Sequence, residues 1–141
     1  MKKEIIKKLK DFFSSEDNQI LAGKPATDEQ IRNAEELLGV KFSEDYIEFI
    51  KLFGGAYAGL DIHAFENGKA LGKETVIELT GNMRISHPEV KDTYVISDDG
   101  AGNPIMINSK GEVEIFYHDS GEVETLAASL SEFIEENFEP W

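Results

Sequence analysis

The sequence predicts a single α+β domain over residues 1–141, an antiparallel sheet of about four strands with helices packed chiefly on one face. Three observations carry this. Residues 27 to 55 spell two capped amphipathic helices in succession. Residues 94 to 118 spell three short apolar runs separated by turn residues rich in Gly, Asn and Asp. The chain is 141 residues long with no cysteine, a length that buries one adequate core without a metal or disulfide staple.

The elements follow in order. In residues 2–13 Ile5, Ile6, Leu9, Phe12 and Phe13 recur at helical spacing among solvated lysines, so residues 1–24 read as an amphipathic helix and a loop packed on the domain. Charge interrupts the apolar positions every two or three residues, unlike a signal peptide, and no window approaches a membrane span. A helix lying on a membrane surface is the sharper alternative; the acidic body argues against it. Thr27 and Gln30 form a capping box; Ile31, Ala34, Leu37 and Leu38 share a face, and Gly39 ends the helix in a left-handed conformation. Ser43 caps the next helix, Glu44 and Asp45 complement its dipole, Tyr46, Phe49, Ile50 and Phe53 form its buried stripe, and Gly54 and Gly55 stop it.

Leu60 to Phe65 predicts a strand with Leu60, Ile62 and Ala64 on one face and Asp61 and His63 on the other. Lys73 to Arg84 predicts a helix presenting Val76, Leu79, Thr80 and Met83. A three-strand meander follows: Tyr94 to Ser97, Pro104 to Asn108 and Val113 to His118, joined by turns at 98–103 and 109–111. Ser129 and Glu132 predict a second capping box before a last helix with Leu130, Phe133, Ile134 and Phe138 inward.

Charge narrows the function. The net charge is −14 from 28 acidic and 14 basic residues, and residues 86 to 141 carry 13 acidic side chains against Lys91 and Lys110, a net of −11. Such a surface repels phosphates, which disfavours direct nucleic-acid binding, and attracts basic partners. Solubility alone is the blander explanation of the same charge.

Enzymatic constellations are weak. Asp98-Asp99-Gly100-Ala101-Gly102-Asn103 superficially suggests a calcium loop or phosphate cradle, but Met106 stands where a bidentate glutamate belongs, and there is no third glycine or lysine. A glycine-permitted hairpin turn accounts for the run. His63, His87 and His118 are far apart in sequence and form no helical metal pair; His118-Asp119 is the one candidate base and orienter, and no serine sits in a nucleophile elbow. The expectation is a non-enzyme without cofactor or metal, and the lack of cysteine fits a cytoplasmic setting.

The ordered signals from Thr27 to Gly55, with Asp98 to Asn103 and Ala127 to Phe133, resemble the Smi/Knr family of the SUKH superfamily over roughly residues 25 to 137. The matching features are the threonine-capped helix with central Glu35, the Leu38-Gly39 stop, the Asp45-Tyr46 helix start and the glycine stop. Phe42-Ser43 replaces the family's usual Leu-Pro, and Gly54-Gly55 its usual Asn-Gly; serine caps well, and glycine accepts a positive φ more readily than asparagine. The resemblance implies an immunity protein of bacterial type that binds and neutralises a cognate toxin domain, often a nuclease, by stoichiometric occlusion through its acidic surface. On that basis the expected contacts are Asp98, Asp99, Glu112, Glu114, Asp119, Glu122 and Glu124, with Tyr57 and Phe65 as aromatic anchors near the Gly54-Gly55 loop. The rival it leaves open is a regulatory interaction module without a toxin partner.

Overall fold

The computed structural model describes residues 1–140; Trp141, the end of the expected domain, lies outside the described residues. The first helix, α1 (Lys3–Ser14), buries Ile5, Leu9, Phe12 and Phe13, while Ile6 is only partly buried. A 3₁₀ segment (Glu16–Leu21) leads to α2 (Asp28–Leu38), where Thr27 and Gln30 form the expected reciprocal box and Gly39 adopts φ 66°. Leu37 departs from expectation: it is 69% exposed, because the core-facing stripe of α2 is only Ile31, Ala34 and Leu38 wide.

Helix α3 (Glu44–Phe53) starts at Ser43, whose side chain accepts from the Tyr46 N–H, and buries Tyr46, Phe49, Ile50 and Phe53. The residues that carry the family resemblance are spent on holding this region together. Glu35 accepts a 2.8 Å bond from the Phe42 N–H across the α2–α3 corner. Asp45 accepts from the Ser131 N–H at 3.1 Å and pairs with the α-amino group of Met1. Buried Tyr46 donates to the His63 carbonyl at 2.6 Å. Gly54 ends the helix at φ 64°, ψ −147°, backbone that a residue with a Cβ enters only under strain.

After Gly54 the chain crosses itself at close quarters. Strands β1 (Ala56–Tyr57) and β2 (Asp61–Ile62) form a two-residue antiparallel ribbon. The expected strand Leu60 to Phe65 is therefore cut to two residues. His63 is buried rather than facing solvent, because its N–H turns to the Ile96 carbonyl at 2.8 Å and its ring approaches the Glu74 carbonyl at 2.6 Å. Asn67 organises the following loop, accepting from the Ala64 N–H and donating to the Gly72 and Glu74 carbonyls. Helix α4 (Val76–Ser86) begins three residues later than Lys73, at a Thr75–Glu78 capping box that the apolar pattern obscured.

The main sheet runs β3 (Tyr94–Asp98), β4 (Pro104–Ile107), β5 (Val113–Phe116), β6 (Val123–Ala127), in that spatial order and antiparallel throughout. Its fourth strand is thus β6, not the expected segment at 60–65. Tyr94, Ile96, Ile105, Ile107, Val113 and Ile115 face the core shared with α1, α2, α3 and the last helix, α5 (Leu130–Asn137). The other face is covered beside β3 by α4, where Met83 packs with Val95, Met106 and Phe116. Ser129 caps α5, but only half the expected box forms: the Glu132 carboxylate reaches the Ala128 N–H instead of that of Ser129.

Candidate partner-binding surface

The two tight connections β3–β4 and β5–β6 lie at the same end of the sheet, and their chemistry is set locally. At the first, the Asp98 carboxylate accepts from the Gly100 N–H at 2.7 Å. Asp99 accepts from the backbone N–H groups of Ala101 and Asn103 at 2.8 and 3.1 Å, and from the Asn103 side-chain amide at 2.8 Å. Gly100 and Gly102 take φ 84° and 86° to allow the turn. The Asn103 side-chain oxygen then accepts from the His118 N–H at 3.1 Å, which fixes the first turn against the second. These bonds, the Asn103 amide foremost, hold the Asp99 carboxyl below the usual range, so it stays ionised.

Exposed Asp119, Glu122 and Glu124 belong to the second connection and the strand leaving it. The Tyr117 hydroxyl donates to Glu124 at 3.4 Å. Its pKa is raised, first by partial desolvation and then by Glu124, Asp99 and Glu122 together. One phenol thus reports three carboxylates from two turns. Exposed Asp61, on β2, is also pushed up, mainly by partial desolvation and further by neighbouring Asp98, while His63 opposes the shift.

Between the acidic turns and α5 lies a groove of about 420 Å³ floored by Leu60, Ile105, Ile115, Leu126 and Phe133 and edged by Asp98, Asp99 and Glu136. No Lys or Arg lines it. An apolar floor with a carboxylate rim suits a long cationic side chain, whose methylenes lie on the floor while its head reaches the rim.

Asp98, Asp99, Asp119, Glu122 and Glu124 therefore gather at one end of the sheet. The remaining expected contacts do not join them. Glu112 sits at the opposite end, in the β4–β5 turn, bonded to Asn108. Glu114 is on the far face of the sheet, paired across strands with Met106 and Thr125. Tyr57 is half-buried with its ring 6.3 Å from Phe12, and Phe65 lines a separate depression with Lys69 and Lys73. Sequence reading missed Asp61, Leu126 and Glu136. Val123 to Ala127 reads apolar, polar, polar, apolar, apolar, without the alternation that marks a strand, so Leu126 carried no local signal; nothing local marks Asp61 or Glu136 as neighbours of the turns.

The histidines are tied into the fold. His118 lies 3.1 Å from Asp119 through Nδ1 and 3.3 Å from the Ala101 carbonyl through Nε2. His87 packs against Phe116 with ring centroids 4.5 Å apart and the planes tilted by 54°. No group of three or more His, Cys, Asp or Glu side chains is placed to hold a metal ion among the described residues. No described helix is long and apolar enough to cross a membrane.

A family model described as SMI1-KNR4 cell-wall, SUKH_5, matches residues 2–139, nearly the whole chain. No curated protein matches it.

Proposed function

Because the chain belongs to the SUKH_5 family, described as SMI1-KNR4 cell-wall, we propose that it is an immunity protein that binds a cognate toxin domain, of nuclease type, and blocks it by stoichiometric occlusion. The observation that carries this reading is the set of five carboxylates, from Asp98, Asp99, Asp119, Glu122 and Glu124, beside an apolar-floored groove without a cation in its lining. A nuclease holds phosphates on a basic surface. An acidic partner reaches that surface fast, pairs with the same lysines and arginines, and excludes the nucleic acid. The chain performs no chemistry of its own in this reading, and it acts in the cytoplasm, where an incoming nuclease meets its substrate.

The test is co-expression with the variable C-terminal domain of a secreted protein encoded beside this chain, with cell survival and complex formation as readouts. Reversing Asp119, Glu122 and Glu124 to lysine abolishes protection, while reversing Glu112, at the far end of the sheet, leaves it. Protection lost through Glu112 alone would move the docking face. A tight complex that leaves the partner's activity intact would favour a regulatory interaction module.

A further inference from the structure

The two edges of the main sheet are treated differently. Edge β3 is sealed: the Ile96 carbonyl accepts from His63 N–H, and the Val95 N–H donates to Thr80 Oγ1 at 2.9 Å. Edge β6 has β5 on one side and no strand on the other among the described residues. The phase of its hydrogen bonding follows from the 2.9 Å bond between the Tyr117 N–H and the Glu122 carbonyl. Bonded and non-bonded pairs alternate in an antiparallel ladder, so Glu124 turns its backbone groups toward Ile115, and Val123 and Thr125 turn theirs away from the sheet. No other described segment meets those outward groups. All three residues are exposed, Val123 by 49%.

An open edge of this kind is a template for another strand. Its side chains select which strand. Glu122 and Glu124 project to the groove face, and Val123 and Thr125 to the other, where Val123 pairs with Phe116. A second copy pairing antiparallel here would set glutamates against glutamates, an unfavourable cross-strand arrangement, in a chain of net charge −14. A basic strand meets the opposite situation.

We propose that β6 accepts an extended cationic segment of the partner protein as a fifth strand, with Lys or Arg facing Glu122 and Glu124 and β-branched residues facing Val123 and Thr125. The cationic side chain opposite Glu124 then lies beside Leu126, at the mouth of the acidic-rimmed groove. The inference rests on the reading of the acidic end as a docking surface for a basic protein, and adds the backbone as the element that fixes the partner's register.

The test uses the full chain and a short synthetic peptide alternating Lys with Val and Thr. Amide exchange at Val123 and Thr125 is expected to slow about tenfold or more when the peptide binds, and N-methylation of the peptide's pairing amides to weaken binding at least about tenfold at unchanged charge. Thr125→Pro removes an outward N–H without touching the ladder to β5, and is expected to weaken the peptide equally with little change in Tm. Should that variant unfold, the N-methylated peptide still decides, because it leaves the protein intact. Equal binding of the methylated peptide, or of an acidic analogue, would overturn strand addition. So would concentration-dependent protection of Val123 and Thr125 without peptide, which would give the edge to a second copy. The lysine reversals that test the proposed function leave the Thr125 backbone in place, so binding lost by reversal but kept by Thr125→Pro sinks this inference alone.

Discussion

Gly54→Ala probes the crossing on which the whole α3–β1 corner depends. The backbone at this position, φ 64° and ψ −147°, costs a residue with a Cβ about 1–3 kcal/mol. Space adds a second cost. A Cβ here would stand 2.8 Å from the carbonyl carbons of Gly23 and Lys24, and closer still to the Lys24 oxygen. That neighbour cannot retreat freely, because the Gly23 N–H is bonded to the Phe53 carbonyl at 2.9 Å and the Ala26 N–H to the Ile50 carbonyl at 2.8 Å. Overpacking against a pinned segment costs about 1–3 kcal/mol more, so the total is about 2–6 kcal/mol. At about 3–4 °C per kcal/mol for a domain of this size, Tm should fall by roughly 6–24 °C. Two other glycines serve as internal standards. Gly39, at φ 66° with nothing near its missing Cβ, should lose only about 1–2 kcal/mol as alanine. Gly81, inside α4 and open to solvent, should gain about 0.5–1 kcal/mol. Urea denaturation at constant m-value ranks the three. If Gly54→Ala is no costlier than Gly39→Ala, the close crossing of residues 23–24 against α3 is wrong.

Other perturbations test other links. Association with a cognate toxin should slow as salt rises, because the Debye length shortens to about 8 Å at physiological strength, with dissociation less affected; stopped-flow rates indifferent to salt would reduce the acidic end to a solubility surface. The α-amino group of Met1 has its pKa raised, first by the hydrogen bond to Glu48 and also by Asp45, against a desolvation term that lowers it. Its contribution to stability is therefore complete below about pH 8 and fades as pH rises through the folded value. Glu48→Gln should flatten that alkaline decline in denaturation curves, and an unchanged slope would dismiss the pairing. His118→Ala should leave protection largely intact provided the protein folds; lost protection with undiminished toxin binding would point to chemistry at that ring.

The helices and turns were legible in the sequence because their signals are local. A Ser or Thr cap bonds a backbone N–H three residues on, as Thr27, Ser43 and Ser129 do, and Gly39 and Gly100 supply conformations the adjoining backbone demands. The acidic excess was equally visible as a sum. Tertiary structure decided where that excess goes. Registry in the meander sends Glu112 to one end and Glu122 to the other, although only ten positions separate them. It also brings Asp61 and Glu136, remote in sequence, beside Asp98. The strand β6 went unread because Val123, Glu124 and Thr125 all face water on an edge, so neither face supplies the apolar alternation that a strand with one buried face shows. Which edge stays open rests on a hydrogen bond from His63 to Ile96, 33 positions away, and no local pattern encodes a contact of that span.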